Sequence, residues 1–315
     1  MPLGYIRPIR QTQGKQAHHE MNFQTIDINN EDYPSLLKEI QNPPKQIHLR
    51  GMLPGSAIPA VAIVGTRKAT AAGIGMAEEI AARLARQGIT IVSGLAMGID
   101  TAAHRGALSI GGRTIAVLGN GINEIYPAQN EKVAEEILKT GGAIISEYPP
   151  GEPSFKQNFI HRNRIISGLS VAVVVIEAPA KSGALATAGF AAEQGRSVFV
   201  LPGPVTHPNY VGSHALIRDG AILVAKAADI LEDLGLLQET GMEELGIKND
   251  DLELRLDGNE GLVFKVIKEA GGPIYIDRIA SLAKLEPQVV NQTLTALLLK
   301  GLIREASGKY EINYR

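Results

Sequence analysis

The chain has 315 residues, of which 44% are hydrophobic and 34 are glycine, and its formal net charge is −2. These values are typical of a globular chain long enough for one large and one small domain. The absence of cysteine excludes disulfide bonds and zinc sites built on thiolates. No apolar run approaches the roughly 18 residues that a membrane helix needs, and the N-terminus lacks the apolar core of a secretion signal. We therefore expect a soluble, cytoplasmic protein without a membrane partner.

The charge is unevenly spread along the chain. Residues 229–260 hold 11 acidic and 2 basic side chains and so carry −9, which leaves +7 for the rest of the chain. Two mildly basic parts joined by an acidic segment are compatible with a polyanionic partner.

The pattern divides the chain into five segments. Residues 1–22 are polar, basic and aperiodic, which predicts a disordered tail. Residues 23–57 form a lead-in segment with a short helix stopped by prolines and a strand near 47–49. Residues 58–236 are predicted to be a Rossmann-like domain, 237–258 an acidic linker, and 259–315 a winged-helix domain.

The Rossmann-like domain is predicted from short apolar runs that alternate with segments of helical spacing. The expected strands are 60–64, 89–93, 114–118, 143–146, 171–176 and 197–201. Segments such as 72–86 and 131–140 carry the helical spacing between them. Near-continuous apolar strands between helices indicate an α/β fold with a parallel sheet covered on both faces.

The C-terminal segment shows three helical patterns, at about 260–270, 276–284 and 287–300, followed by a hairpin signal around Ser307 and Gly308. Three helices and a hairpin in about 55 residues predict a winged helix-turn-helix.

Small residues, amides and cations follow several of the predicted strands. Ligands of open parallel sheets bind beyond the carboxyl ends of the strands. Glycine turns and helix N-termini bind anions through N–H groups, and arginine holds phosphate bidentately. We therefore predict a phosphate-binding site. Its candidate residues are Gly65, Thr66, Arg67, Ser93, Gly94, Gly98, Arg162, Asn163, Arg164, Lys181, Ser182 and Gly183.

The strongest of these signals is Arg162-Asn163-Arg164, which we expect at the start of a helix. A purely structural interpretation stays open for it, because buried arginines also tie down carboxylates such as Glu147 or Glu177. Asp100 is expected to be the N-cap of the helix through His104. His104 itself is expected to pack inside the protein or to cap a helix, and not to act as a base.

The sequence lacks the familiar catalytic and cofactor motifs. The first strand is not followed by G-x-G-x-x-G, and no Walker A loop, G-x-S-x-G elbow, H-E-x-x-H or acidic metal cluster is found. We therefore expect no cofactor, no metal and no catalysis. With 4% aromatic residues and no tryptophan, we also expect few surfaces on which bases stack.

Together these segments resemble the DNA-processing protein A family over roughly residues 31–235. The matching pieces are Gly65-Thr66-Arg67 and the segments 93–108, 114–127, 145–151, 159–170, 174–188 and 198–205. The resemblance implies a non-catalytic homodimer that binds single-stranded DNA and helps load the recombinase RecA in natural transformation. It also implies that Arg67, the 93–98 loop, Arg162, Asn163, Arg164 and Lys181 contact the DNA.

Two other functions stay open. A Rossmann-like nucleotide hydrolase of the phosphoribohydrolase type needs a carboxylate just after its glycine loop, and none follows Thr187 within three residues. In a winged-helix regulator the large domain would sense a ligand, but the expected recognition helix 287–300 has only Lys300 as a cation.

Overall fold

The computed structural model describes residues 23–55, 58–236, 258–270, 272–299, 302–306 and 308–312. The expected disordered tail, and the acidic linker apart from its last residue, lie outside the described residues.

The larger unit is built on one nine-stranded sheet. Its strands are β1 (Gln24–Asp27), β2 (Gln46–Gly51), β3 (Ala60–Val64), β4 (Thr90–Ser93), β5 (Thr114–Leu118), β6 (Ala143–Ser146), β7 (Ala172–Val175), β8 (Ser197–Val200) and β9 (Ile222–Leu223). They lie side by side in the order β1-β2-β6-β5-β4-β3-β7-β8-β9. Strands β3 to β9 pair in parallel, which confirms the predicted sheet.

The lead-in segment belongs to the same sheet, which the sequence did not indicate. Strands β1 and β2 pair antiparallel with each other, and β2 pairs antiparallel with β6. The sheet is therefore mixed. Only Ile26 of β1 is buried, so this strand carries none of the apolar alternation that would have predicted it.

Among the described residues, eight α-helices accompany the sheet: α1 (Ser35–Lys38), α2 (Ala71–Arg86), α3 (Ile99–Leu108), α4 (Glu131–Lys139), α5 (Lys156–Gly168), α6 (Gly183–Glu193), α7 (Val211–Arg218) and α8 (Ala227–Asp233). Helices α1, α5, α6 and α7 pack on one face, while α2, α3, α4 and α8 pack on the other. Alternate residues of a strand pack on opposite faces of the sheet. Val64, for example, packs with the helices of the first face and Ile63 with those of the second. This explains why the central strands read as unbroken apolar runs.

The strand order changes direction between β3 and β7. From β3 the chain continues through β4, β5 and β6 on one side, and from β7 it continues through β8 and β9 on the other. The crossover helices of the two halves lie on opposite faces, so a crevice opens beyond the carboxyl ends of β3 and β7. Ligands of doubly wound sheets bind at this switch point.

The smaller C-terminal unit has its own core. It contains α9 (Gly258–Glu269), β10 (Ile274–Tyr275), α10 (Ile276–Ala283), α11 (Pro287–Leu299), β11 (Ile303–Ala306) and β12 (Lys309–Ile312). The three strands form an antiparallel sheet in the order β10-β12-β11. The predicted three helices and hairpin are confirmed, with β10 as an additional strand. Among the described helices of either unit, none has the length and apolarity to cross a membrane.

Candidate functional site

A cavity of about 900 Å³ lies at the switch point, beyond the carboxyl ends of β3 and β7. Its walls come from the loop after β3, from α5 with the residues before it, and from the segment that leads into α6. Eight of the twelve predicted site residues line it: Gly65, Thr66, Arg67, Arg162, Asn163, Lys181, Ser182 and Gly183. The other four, Ser93, Gly94, Gly98 and Arg164, are absent from the lining.

The loop after β3 is held by its backbone so that Arg67 faces outward. The N–H of Thr66 donates to the Glu177 carbonyl at 2.8 Å, and the Thr66 carbonyl accepts from Ile99 N–H at 3.2 Å. The side chain of Arg67 is exposed and its guanidinium carbon lies 5.6 Å from the centre of the Phe159 ring. The loop therefore presents a cation on a fixed backbone.

Gly98 supports this loop from behind. Its φ is +79°, in the region that favours glycine, and a Cβ there would lie 2.4 Å from the Thr66 carbonyl oxygen. Gly98 therefore acts through the close approach of two loops, and any contact between it and a ligand stays a prediction.

The segment Arg162-Asn163-Arg164 lies in the middle of a helix, so the expectation of a helix start was wrong. Helix α5 begins at Lys156, six residues earlier. The early turns carry little apolar periodicity, since Lys156 and His161 are both exposed, and no helical spacing therefore predicts them.

Arg162 is a buried cation at the floor of the cavity, with only 4% of its surface exposed. Its Nη1 donates to the carbonyls of Gly94, at 2.9 Å, and of Val117. Burial lowers the pKa of Arg162 to about 10, which nearby Asp100 opposes. The side chain is therefore charged at neutral pH and ties together the ends of β4 and β5.

Asp100 closes the loop after β4 and is not the N-cap of α3. The helix begins one residue earlier, and the Asp100 carboxylate accepts from the N–H groups of Gly94 (3.1 Å) and Ala96 (3.4 Å). Burial raises the pKa of Asp100, while Arg162 and these N–H groups lower it. Ser93 is also satisfied internally, because its hydroxyl donates to the Ile63 carbonyl at 2.7 Å. Two donors that we expected to face an anion are therefore used within the protein.

Asn163 and Arg164 face different surroundings. The amide of Asn163 donates to the Gly183 carbonyl at 3.1 Å and so aligns α5 with the start of α6. Arg164 is buried and donates to Glu147 at 2.7 Å. For Arg164 the structure matches the structural interpretation, with Glu147 as the carboxylate.

The start of α6 provides the opposite wall of the cavity. Ser182 is its N-cap and accepts from Ala184 N–H at 3.2 Å. Lys181 and Lys156 line the cavity with exposed side chains. Among the residues that the structure describes, Arg67, Lys156 and Lys181 have no ion-pair partner within 4.0 Å. Lys156 was missed by sequence reasoning because its helix start was not predicted.

Two aromatic side chains also line the cavity, although we expected few surfaces for stacking. The rings of Phe159 and Tyr126 lie 5.4 Å apart. Phe159 has Arg67 at 5.6 Å and Arg162 at 5.9 Å from its centre. Gly119 makes room for it, since a Cβ there would lie 2.7 Å from the ring. The cavity thus combines cations with an aromatic surface. Within the described ranges, no group of three or more His, Asp or Glu side chains is arranged to hold a metal ion.

A doubly wound sheet with a cationic cavity at its switch point defines a Rossmann-like protein suited to anionic ligands. The family model described as DNA recombination-mediator protein A matches residues 24–235. The chain therefore belongs to this family, as the sequence resemblance predicted.

Named relatives agree with this family. The chain is 45% identical over 213 residues to "Protein Smf" of Escherichia coli, which covers 68% of this chain and 57% of that protein. It is 41% identical over 219 residues to the DNA processing protein DprA of Bacillus subtilis, covering 69% of this chain and 73% of the relative. The aligned region thus spans little more than half of the Escherichia coli protein.

Two solved structures share the fold. The DNA processing protein A of Streptococcus pneumoniae superposes with a TM-score of 0.63 at 42% identity, covering 67% of this chain and 74% of the other. A DNA processing protein A from Helicobacter pylori, described for its single-stranded DNA binding mode, gives a TM-score of 0.61 at 30% identity. That match covers 68% of this chain and 96% of the other.

Proposed function

We propose that this protein binds single-stranded DNA by its phosphates in the cavity at the switch point and takes part in DNA processing without catalysing a reaction. The observation that carries this proposal is the set of exposed cations at one cavity mouth, Arg67, Lys156 and Lys181, with no anionic partner among the described residues. These cations can bind phosphates without breaking an ion pair within the protein. The relative from Helicobacter pylori, with its single-stranded DNA binding mode, adds support.

The nucleotide-hydrolase alternative has less support from the cavity. Asp100 is the carboxylate among its lining residues, and its oxygen is engaged by two backbone N–H groups. A hydrolase would need a carboxylate free to act on the substrate. Release of free base from nucleoside monophosphates would favour the hydrolase over the binding protein.

The test is fluorescence anisotropy with labelled oligo-dT and a matching duplex across a salt series. We expect preferential binding of the single strand and a steep loss of affinity with salt, because phosphate contacts dominate. Arg67→Ala or Lys181→Ala should each lower the slope of log affinity against log salt by about 0.7, one contact to a single strand.

Arg86→Ala is the matched control, since Arg86 is an exposed arginine at the end of α2 that leads into β4, at the amino ends of the strands and so away from the cavity. It should leave both affinity and slope unchanged. A preference for duplex, or equal effects of Arg67→Ala and Arg86→Ala, would contradict the proposal.

We further propose that the bound strand is passed to RecA in natural transformation or recombination, as the family resemblance implies. Binding of the strand by its phosphates supports this, because it would leave the bases exposed for a recombinase to pair. If so, the protein should accelerate RecA assembly on single-stranded DNA, and Arg67→Ala should lose that acceleration. Equal acceleration by both proteins would separate RecA loading from this cavity.

The homodimer is also a proposal, and the β9 edge of the sheet supports it. β9 is an edge strand in which Ile222 is 41% and Leu223 53% exposed. Two such edges can pair about a two-fold axis. Leu223→Glu should then convert a dimer to a monomer in sedimentation velocity, whereas Met52→Glu, at an exposed apolar position after β2, should not.

A further inference from the structure

Glu177 is a buried carboxylate beside the cavity that the proposed function does not use. It lies two residues after β7, its side chain is fully buried, and it is not part of the cavity lining. One carboxylate oxygen accepts from the hydroxyls of Thr70 and Tyr210, the latter at 3.1 Å. The other accepts from Thr70 N–H at 3.1 Å and from the Asn209 amide at 2.8 Å.

These contacts surround Arg67 along the chain. The backbone carbonyl of Glu177 holds Thr66 N–H, and its carboxylate holds Thr70. Asn209 completes the arrangement, since its amide also donates to the Lys68 carbonyl at 3.0 Å. The residues on both sides of Arg67 are therefore fixed to Glu177 directly or through Asn209.

The space around the carboxylate leaves little freedom. A Cβ at Gly73 would lie 2.4 Å from its Oε1, so the first turn of α2 packs against the side chain. The groups that hydrogen-bond to the carboxylate are all neutral. Burial raises the pKa of Glu177, but the hydrogen bonds from Thr70, Asn209 and Tyr210 outweigh it and lower the pKa. Glu177 is therefore an anion at neutral pH.

We propose that Glu177 is a positioning residue that sets the geometry of the phosphate-binding loop and so the direction of Arg67, without contacting the DNA. This inference rests on the proposed function, in which Arg67 binds phosphate. Removal of the Glu177 charge can therefore change the DNA affinity in either of two directions. If Glu177 acted only through its charge, it would weaken binding, because an anion near the cavity repels phosphate. Removal of that charge would then tighten binding. Loss of loop geometry would weaken binding.

The test is Glu177→Gln, which keeps the shape of the side chain. Glutamine has one carbonyl oxygen and one NH₂ group, so it cannot accept all four hydrogen bonds and the loop loses part of its support. We expect the Kd for oligo-dT to rise about tenfold, the loss of one hydrogen bond to a charged group. Glu193→Gln removes the same charge from an exposed position at the end of α6 and should leave the Kd unchanged.

Two further measurements separate positioning from a general loss of stability. In an Arg67→Ala background, Glu177→Gln should change the Kd less than twofold, because the group that it positions is gone. Asn209→Ala keeps the carboxylate but breaks the link to Lys68, so it should also weaken binding, and only when Arg67 is present. Without DNA, amide hydrogen exchange at Lys68 and Thr70 should accelerate in Glu177→Gln.

Several results would overturn the inference. Unchanged or tighter binding in Glu177→Gln would do so, as would an equal loss in the Arg67→Ala background or unchanged exchange at residues 66–70. If the wild-type protein does not bind single-stranded DNA, the proposed function is wrong, and the role of Glu177 in positioning Arg67 for phosphate is wrong with it. Accelerated exchange without any DNA-binding effect would leave that function standing and reject Glu177 as a positioning residue.

Discussion

His104 is a neutral imidazole enclosed between α3 and β5. Its Nδ1 lies 2.7 Å from the hydroxyl of Thr114, which itself donates to the Ile91 carbonyl at 2.8 Å. Nδ1 must therefore carry the proton, and Nε2 is left buried without a partner among the described residues. Protonation would place a charge there, so burial, with Arg162 nearby, lowers the pKa of His104 to about 3.

This imidazole should make the protein sensitive to acid. The unfolded chain takes up a proton near pH 6.5 and the folded chain only near pH 3. The stability contributed by neutral His104 is thus present above pH 6.5 and is lost as the pH falls toward 3, by up to about 1.4 kcal/mol per pH unit. His104→Asn keeps a donor for Thr114 but does not titrate. Urea denaturation at several pH values should show a shallower pH dependence for it, and parallel curves for both proteins would refute this account.

For single residues, the sequence predicted the type of side chain at the site better than it predicted hydrogen-bond and ion-pair partners. Cations at Arg67 and Lys181 were expected at the sheet edge and are found there. The contact between Thr70 and Glu177 joins residues 107 positions apart, and no pattern within one segment reveals it. The same limit applies to Arg164, for which Glu147 and Glu177 were equally open, since only the folded chain decides which carboxylate is near.

Helix α5 contributes both charged or polar side chains and an aromatic side chain to the cavity. Arg162 and Asn163 face it from the middle of the helix, and Phe159 faces it one turn earlier. The sequence predicted β3 to β8, α2, α4 and the three C-terminal helices to within two residues, because apolar runs mark buried strands and helical spacing marks amphipathic helices. It missed the start of α5 and the whole of β1 and β10. At α5 and β1, exposed residues interrupt the apolar spacing that would have marked the element.

Phe159 leads to a prediction about bases. An aromatic face beside a cationic cavity offers a stacking surface, which contributes about 1–3 kcal/mol per base. Phe159→Leu should therefore raise the Kd for oligo-dT about tenfold or more while the salt slope is unchanged, because no charge is altered. An abasic oligonucleotide of equal length should bind the wild type and the variant alike. A variant defect that persists with the abasic strand would mean that the ring acts only by packing against Gly119.

The two units of the molecule each have a core of their own. The C-terminal core includes Val263, Phe264, Ile279 and Leu294, with none from the larger unit. In the C-terminal unit the described part of α11 has no basic residue in its last turn, so this part of the helix offers no cation for phosphate contacts. The larger unit should therefore carry the DNA affinity.

A variant ending at residue 236 tests whether the larger unit carries the DNA affinity. It should keep a cooperative unfolding transition and most of its affinity for oligo-dT, because all the cavity residues precede that point. Anisotropy titration of the truncated and full-length chains side by side gives the comparison. Loss of binding in a folded truncated protein would favour the regulator, in which the winged helix reads the DNA.

The burial of Arg162 has a consequence for how many DNA contacts a titration will count. In the proposed binding mode, exposed cations such as Arg67 neutralise phosphates, and the DNA then releases the counterions condensed on those phosphates. Arg162 is held by backbone carbonyls inside the protein, where dissolved ions do not reach it. In the proposed complex its charge would attract the strand without neutralising a phosphate by direct contact, so it would release no counterion. The number of contacts inferred from counterion release will therefore be smaller than the number of positive groups around the DNA, and some affinity should persist in strong salt.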